Sequence, residues 1–267
     1  MSTLSPRSLV GKRWKFDSPI CESFQNYAYT EQDLETWKIL FTEQINFLKE
    51  IKLDVLLTRF KKLGIEPNKI PLLPDLNRRL TQYTDWKLIE VDGIVENQDY
   101  FYLTSKKIQP FSPLIRAPHE RVGFVWPDIF HEICHLPYLF DEHYSEFCQQ
   151  IGALGHQAYQ SKRSDLIQNV IRLFWHLIEN GSVKSDAGNA IYGAILIGYI
   201  PGARHVLQNP GLLKEFSIEN VCGTPPPWDE DPNYNLSQNI QAHFAVPSFA
   251  TLLCDFQTWR DRVLVKQ

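Results

Sequence analysis

The first regular pattern along the chain is a helical one that begins at Thr30. Apolar residues recur there every three or four positions with charged residues between them, which predicts an amphipathic helix. These apolar positions are Trp37, Leu40, Phe41, Ile45, Leu48 and Ile51. Thr30 followed by Asp33 predicts an N-cap with a reciprocal acid, and Gly64 and Pro67 mark the end of the helical stretch. Residues 1–28 lack this period and are expected to form an irregular N-terminal arm.

Shorter elements are predicted in the next part of the chain. Residues 76–84 form a short helix opened by prolines. Residues 86–91 alternate apolar and polar positions as a strand does, and the dipeptide at 92–93 is a turn. Residues 99–103 are a short aromatic segment. Residues 108–116, interrupted by two prolines, are typical of an edge strand.

The second half of the chain reads as helices separated by loops. A helix begins at Pro127-Asp128, with Pro and Asp favourable at its first turn, and ends at Pro137. The remaining predictions are helices over 144–156 and 164–180 (capped by Gly181), a buried helix over 187–200, a loop over 222–235 and an amphipathic helix over 247–265. With no convincing linker, residues 1–267 are expected to form a single, mostly α domain with minor β structure.

Composition and charge narrow the class of protein. Hydrophobic residues make up 43% of the chain and charged residues 22%, which is typical of a soluble globular protein. The net charge of −4 gives no electrostatic reason to expect a nucleic acid or an acidic membrane as partner. Aromatic residues reach 13%, and most of them must fill the core.

Cysteine usage favours a cytoplasmic protein. The five cysteines are scattered, without a CxxC motif, so they form neither a disulfide framework nor a cysteine zinc site. No apolar signal segment precedes Cys21, and no stretch has the apolar length of a membrane span.

Two histidines in one predicted helix are the strongest chemical signal. His131 and His135 are four residues apart in an HExxH pattern, so both imidazoles project from one face and can bind one metal ion. Glu179, near the end of a later helix, completes a set of two histidines and one carboxylate. That set binds one face of Fe(II) and leaves positions open for O₂ and for a substrate or cofactor. It also describes a zinc hydrolase with Glu132 as general base, so ligand types alone leave both metals open.

Short stretches from Tyr29 to the last predicted helix carry a family resemblance. In chain order they are Tyr29-Thr-Glu31, Thr36-Trp37, Phe41, Ile70-Pro71, Thr84-Asp-Trp-Lys-Leu88, Gly93-Ile94-Val95, Asp99-Tyr100-Phe101, Leu114-Ile115-Arg116, His131-Glu132, His135-Leu-Pro137, Phe147, Ile151-Gly152, Trp175, Glu179, Gly181 and Tyr192-Gly193-Ala194. Together they resemble the catalytic domain of the pterin-dependent aromatic amino acid hydroxylases. The resemblance implies that domain's fold and favours iron over zinc.

The resemblance implies roles for single positions at the metal and substrate. His131, His135 and Glu179 match the iron ligands. Arg116 matches the arginine that pairs with the substrate α-carboxylate, a contact suited to a guanidinium, and Asp128 matches the acid that supports it. Trp175 matches an aromatic residue of the substrate pocket. By residue type alone, a surface ion pair is the favoured interpretation of Arg116, and plain core packing that of Trp175.

The resemblance also implies a pterin site. Gly93, Ile94 and Val95 match the loop that wraps the pterin, Tyr100 matches the aromatic on which it stacks, and Glu132 matches a glutamate beside it. The implied reaction is Fe(II)-dependent and tetrahydropterin-dependent hydroxylation of an aromatic amino acid by O₂. Phenylalanine is the default substrate and tryptophan the next. By residue type alone, Tyr100 is compatible with packing and Gly93 with a turn.

Several positions depart from the family pattern. The histidines are separated by three residues rather than four, and Gln109-Pro110 stands where the family has Phe-His, a pterin partner. Gly198 stands in place of a serine near the substrate carboxylate. These departures motivate an alternative, an iron oxygenase of the same fold that acts on another aromatic compound with altered or absent pterin use. The chain has no room for the family's regulatory domain or tetramerisation helix, so a monomer is expected.

Overall fold

Helices dominate the computed structural model, which describes residues 28–91, 95–118, 128–186, 188–227 and 240–265. The helices are α1 (Glu31–Glu50), α2 (Asp54–Leu63), α3 (Leu73–Leu80), α4 (Asn97–Ser105), α5 (Ile129–His135), α6 (Glu142–Gln160), α7 (Ser164–Leu173), α8 (Ala194–Gly198), α9 (Ile200–Gln208), α10 (Ile218–Gly223) and α11 (Phe249–Val265). A π-helical turn, Phe174–Glu179, continues α7, and 3₁₀ turns lie at Pro137–Phe140 and Pro210–Leu212. No helix in the described ranges is both long and apolar enough to span a membrane. The expected mostly α fold is confirmed.

The strands form two small sheets. They are β1 (Lys87–Glu90), β2 (Ile108–Phe111), β3 (Ser182–Ser185), β4 (Gly188–Ile191), β5 (Leu213–Lys214) and β6 (His243–Val246). β1 and β2 pair in parallel, with Lys87 opposite Ile108. The second sheet has the order β4-β3-β6-β5, in which β3 and β4 are antiparallel and β6 runs parallel to β3 and β5.

The long helical pattern at the start is confirmed, but it is broken once. The Thr30 side chain accepts a hydrogen bond from the Asp33 amide, and the Asp33 carboxylate accepts one from the Thr30 amide, as the capping pattern predicts. α1 ends at Glu50 because Lys52 adopts a positive φ of 56°, which no helix interior allows. The chain then re-enters a helix, α2, which ends at Gly64 in the left-handed conformation.

Two predictions in the second half are wrong in part. The buried helix expected over 187–200 is instead the strand β4, a tight turn and the short helix α8, with α9 beginning at Ile200. An apolar run of this length suits a strand as well as a helix, and pairing of β4 with β3 decides it here. The loop expected from Cys222 is helical at its start, because the Ser217 side chain caps α10. Residues 228–235 of that loop lie outside the described residues.

The remaining differences concern where elements begin and end. α3 lies at Leu73–Leu80 rather than 76–84, and the aromatic segment 99–103 lies within α4. The strand expected over 108–116 is confirmed only for Ile108–Phe111, at the edge of its sheet. The turn at 92–93, most of the N-terminal arm and Pro127 lie outside the described residues.

The core fixes the position of α5, the helix that carries both predicted histidine ligands. The ring of Trp37 stacks on Phe41 at 5.1 Å and meets Phe130 edge-on at 6.3 Å, so α1 packs directly against α5. The buried side chain of Gln44 donates a 2.7 Å hydrogen bond to the Ile197 carbonyl, and its amide nitrogen lies 3.5 Å from the Cys134 sulfur. α5 is therefore held between α1 and α8.

Candidate metal centre

Asp128 organises the start of α5. Its Oδ1 accepts hydrogen bonds from the His131 amide at 3.0 Å and from Arg116 Nη2 at 2.8 Å. Its Oδ2 accepts from Arg116 Nε at 2.7 Å and from the Arg116 amide at 3.1 Å. Arg116 and Asp128 are 3% and 1% exposed, so the pair is a buried ion pair and not a surface one. The support of Arg116 by Asp128 that the resemblance implies is therefore present.

His131 and His135 lie on one face of α5, as their spacing predicts. Both side chains are buried, and their Nε2 atoms are 3.1 Å apart with the rings nearly perpendicular. The shorter spacing of this chain therefore still brings the two imidazoles together.

Glu179 reaches the two histidines from the end of the π-helical turn. Its Oε1 is 3.4 Å from His135 Nε2, and its Oε2 is 3.6 Å from His131 Nε2. The backbone here is tightly packed, because a Cβ atom at Gly193 would lie 2.4 Å from the Glu179 carbonyl oxygen. The absence of a side chain at Gly193 therefore lets the turn after β4 pack against the chain that carries Glu179.

The three ligand atoms fit a single metal ion. They lie within 4.8 Å of one another, and they form the only such group of His, Cys, Asp and Glu side chains found in the described part of the chain. Ligands about 2.1 Å from a metal are separated by about 3.0 Å at right angles and by about 3.4 Å in a tetrahedron. The observed separations of 3.1 and 3.4 Å fall in this range, and the separation of 3.6 Å lies slightly above it. Glu179 Oε2 is also buried with no hydrogen-bond donor among the described residues, as suits an atom that binds a metal.

Burial sets the protonation of the ligands. It lowers the pKa of His131 to about 3, with the charge of Arg116 adding to the effect, and it lowers the pKa of His135 well below its usual value. Both imidazoles are therefore neutral and able to bind a metal. Burial also raises the pKa of Glu179 and of Glu132 well above the usual value, the latter with help from the charges of Glu179 and Asp128. A bound cation would offset this effect at Glu179.

Tyr100, which is expected at the pterin, lies near Glu132. Tyr100 meets Phe101 and Phe174 edge-on. The Gln109 side chain, only 4% exposed, lies near both the Tyr100 hydroxyl and the Glu132 carboxyl group.

The cavity beside these residues is small. Its walls include Tyr100, Gln109 and His135, and its volume is about 10 Å³, enough for one water molecule and too small for a pterin ring. Val95 is half-buried, whereas Gly93 and Ile94 lie outside the described residues. The described residues thus fit the metal, but they do not enclose a space of pterin size.

The residues expected at the substrate line two different, larger cavities. Arg116 and Phe130 line one of about 490 Å³, together with residues of α1 and the start of α9. Trp175, which is 2% exposed, lines another of about 210 Å³ with His176 and Lys214. The structure therefore brings Arg116, Asp128 and the metal ligands together, and it places Trp175 in a different described cavity.

Sequence reasoning missed two side chains that face the centre. Gln109 was interpreted only as the loss of a histidine, yet it contacts Tyr100 and Glu132. Cys148, on α6, is buried in the wall that it shares with His135. Cys148 lies on the apolar side of a predicted amphipathic helix, so its burial could be predicted, but no spacing rule places it beside a ligand from α5.

Comparison with known proteins identifies the family. Residues 10–259 match the family model described as biopterin-dependent aromatic amino acid hydroxylase. The phenylalanine-4-hydroxylase of Pseudomonas aeruginosa is 31% identical over 198 residues, which cover 74% of this chain and 74% of that protein. The phenylalanine-4-hydroxylase of Caulobacter vibrioides is 27% identical over 227 residues, which cover 84% of this chain and 74% of that protein.

Solved structures agree with this match. Phenylalanine hydroxylase from Legionella pneumophila is 26% identical with a TM-score of 0.75, over 88% of this chain and 91% of that one. The Chromobacterium violaceum enzyme, solved with iron(III) and 7,8-dihydrobiopterin, shares the fold at 23% identity and a TM-score of 0.76, over 90% of this chain and 84% of that one. The family match over nearly the whole chain also removes the support for a zinc hydrolase. The chain belongs to the biopterin-dependent aromatic amino acid hydroxylases, which are iron enzymes that use a pterin.

Proposed function

We propose that this chain hydroxylates the ring of a free aromatic amino acid, with O₂ as oxidant, Fe(II) held by His131, His135 and Glu179, and phenylalanine as the default substrate. The convergence of those three buried ligands in a chain of the hydroxylase family carries the proposal. When bound, the iron and the pterin supply the activation of O₂.

The chain's own residues supply binding and orientation. The two neutral imidazoles and the Glu179 carboxylate would hold the metal through one face, leaving its other positions to small ligands. Burial of all three side chains excludes bulk water from the centre.

Arg116 would bind the carboxylate of the amino acid. Its guanidinium lines the 490 Å³ cavity, and its Nε and Nη2 atoms are already fixed by Asp128. A guanidinium held in this way keeps one orientation, which suits the recognition of a carboxylate. Phe130 lines the same cavity and directly precedes His131 in α5. The substrate and the metal would therefore lie at adjacent parts of this helix.

A second function is favoured by one observation. The cavity lined by Tyr100, Gln109 and His135 is too small for a pterin ring, and it holds a glutamine where the family has a histidine. An oxygenase of the same fold with altered pterin use would explain both facts. In the first function, the pterin contacts Gly93, Ile94, Val95, Tyr100 and Glu132. Tyr100 or Gln109 must then move when the pterin binds.

Product analysis tests the two functions. The purified protein would be loaded anaerobically with Fe(II) and then given tetrahydropterin, O₂ and one of phenylalanine, tyrosine or tryptophan. The proposal expects a product heavier by one oxygen atom that forms only when iron and pterin are both present. A product that forms equally well without pterin would replace the first function by the second. Uptake of zinc with no iron binding and no product would contradict both.

We also propose that the chain forms a single catalytic domain and is a cytoplasmic monomer. One large cluster of buried residues runs from Trp37 to Trp259, which supports a single catalytic domain. The large apolar side chains exposed among the described residues are Leu34, Val55, Leu72, Tyr83, Leu207, Leu213 and Val265. They are spread over separate elements, which supports a monomer. Light scattering would test the monomeric state. The described cysteines are free thiols, which supports a cytoplasmic location, testable by cell fractionation.

A further inference from the structure

The turn that carries Glu179 is wider than an α-helix. Residues Phe174–Glu179 form a π-helical turn at the end of α7, with hydrogen bonds that span five residues rather than four. A π-helix has more residues per turn than an α-helix, so it rotates each successive side chain less around the axis. The direction of Glu179 therefore depends on the π conformation. An α-helical end to α7 would point its carboxylate in a different direction from the one that meets His131 and His135.

The side chain of Asn180 closes this turn. The last carbonyl groups of a helix have no partner within the helix. The Asn180 amide nitrogen, Nδ2, reaches back five residues and donates a 3.0 Å hydrogen bond to the carbonyl oxygen of Trp175. Asn180 directly follows Glu179 and is only 1% exposed. This bond therefore ties the residue after the ligand to the second residue of the turn.

The backbone next to Asn180 is fixed by the turn after β4. The Gly181 carbonyl accepts hydrogen bonds from the amides of Tyr192 and Gly193, both at 3.0 Å. A Cβ atom added at Gly181 would lie 2.3 Å from the Tyr192 hydroxyl oxygen, so the two segments are in close contact. Asn180 therefore reaches back to Trp175 from an anchored position.

Stability alone does not account for an asparagine at this position. Asn180 Oδ1 is buried and has no hydrogen-bond donor among the described residues. A buried polar group that lacks a partner costs stability, and an apolar side chain of similar size would avoid this cost. Such an exception in a native structure calls for another explanation. The hydrogen bond from Nδ2 to the turn that carries a metal ligand supplies one.

We propose that Asn180 is a positioning residue for the metal centre: its amide holds the π-helical turn in the form that directs the Glu179 carboxylate at His131 and His135. The inference rests on the proposed function, in which these three side chains bind Fe(II). It extends that function to a residue outside the ligand set. Removing a group that holds a ligand in place typically weakens metal binding by about 10–100-fold, although the group does not touch the metal.

Anaerobic titration with Co(II), whose d–d absorption bands report the arrangement of its ligands, tests this in the variant Asn180→Leu. The variant keeps most of the side-chain volume and loses the N–H donor. We expect its Kd for Co(II) to rise by about 10–100-fold and its absorption bands to shift, because Glu179 no longer meets the histidines in the same direction. Asn180→Ala removes the amide without adding volume and should show the same two changes, so it carries the test if leucine prevents folding.

The matched control is Asn77→Leu on α3. The half-buried Asn77 accepts a 2.9 Å hydrogen bond from the Leu88 amide through its side-chain Oδ1, so the same substitution also removes one bond between a side chain and the backbone. The control should bind Co(II) with the Kd and the absorption bands of the wild type, even if its thermal midpoint falls.

The outcomes separate this inference from the proposed function. Asn180 variants that keep the wild-type Kd and absorption bands would overturn the inference and leave the ligand set standing. Equal weakening in Asn180→Leu and Asn77→Leu would show a general loss of stability and would also overturn it. A wild type that binds neither Co(II) nor Fe(II) would contradict the proposed function and the inference together. Weaker, spectrally altered binding in the Asn180 variants, with no hydroxylated product from the wild type, would contradict the proposed reaction and support the inference.

Discussion

The Nε2 atoms of His131 and His135 lie 3.1 Å apart, although only three residues separate them where the family has four. Both imidazoles are buried and neutral, so with the proton on Nδ1 each would direct its Nε2 lone pair at the same point. Glu179 directs a carboxylate toward that point from another element. The shorter motif therefore preserves the ligand set, because positions i and i+4 share a helix face.

Metal binding should stabilise the fold through Glu179. Added Fe(II) is expected to raise the thermal midpoint of the wild type, because a ligand at 100 times its Kd stabilises by about 2.7 kcal/mol. Glu179→Gln removes the only charged ligand, so the rise should be lost and the bound iron should fall by 10-fold or more. Iron content and anaerobic melting curves measure both effects. Glu142→Gln, at an exposed residue of α6, is the control and should behave as wild type, whereas full iron content in Glu179→Gln would disprove this ligand set.

Loss of the Asp128 charge should destabilise the protein strongly. Asp128→Asn leaves the Arg116 guanidinium buried without its counter-charge, and removing one partner of a buried ion pair costs about 3–5 kcal/mol. Asp141→Asn is the matched control, because Asp141 caps α6 in the same way but is only half-buried. The control should lower the free energy of unfolding by about 1 kcal/mol or less. Urea unfolding compares the two, and equal effects would contradict the role given to the ion pair.

Local signals in the sequence predict the helix starts. The predicted caps are present at the start of α1, where Thr30 pairs with Asp33, and at the start of α5, where Asp128 is the cap. Such caps are predictable because they use only neighbouring residues. The i, i+4 histidines are predictable for the same reason. The sequence names Glu179 as their partner through residue type and family resemblance, but spacing does not predict how it reaches them. That depends on a π-helical turn and on the close approach of Gly193.

The errors arise where distant segments compete with local preference. β4 was predicted as helix because it begins the largely apolar stretch 187–200, and hydrogen bonding to β3 makes it a strand. Gln109 was interpreted only as a departure from the family. Its neighbours Tyr100 and Glu132 lie in other elements, α4 and α5, so the residues around Gln109 in the sequence do not reveal them. Resemblance transfers roles to matching positions, and it gives none to a residue that differs.

Acid should destabilise the protein through His243. Burial lowers the pKa of His243 to about 4, with the neighbouring His176 adding to the effect, whereas the unfolded chain titrates near 6.5. Between these pH values the unfolded state binds more protons, so the free energy of unfolding falls as the pH drops from about 6.5 to about 4. At about 1.4 kcal/mol per pKa unit, the loss is on the order of 3 kcal/mol.

The variant His243→Asn isolates this contribution, because subtracting its curve from that of the wild type cancels the other titrating groups. His243 Nε2 lies 2.8 Å from the Ser182 hydroxyl, so the variant is expected to be less stable near pH 7. The difference between the two proteins should shrink as the pH falls to about 4. Parallel curves over the whole range would disprove the assignment.

Gln109 and Tyr100 should be energetically coupled through their shared contact. Gln109→Leu leaves the Tyr100 hydroxyl and the Glu132 carboxyl without this neighbour, and an unsatisfied buried polar group costs about 1–3 kcal/mol. Tyr100→Phe removes the hydroxyl itself, so Gln109→Leu should cost less in that background. A double-mutant cycle of unfolding free energies is expected to give a coupling of about 0.5–3 kcal/mol. Additivity within about 0.5 kcal/mol would show that the two side chains are independent and that Gln109 contributes nothing to the placement of Tyr100.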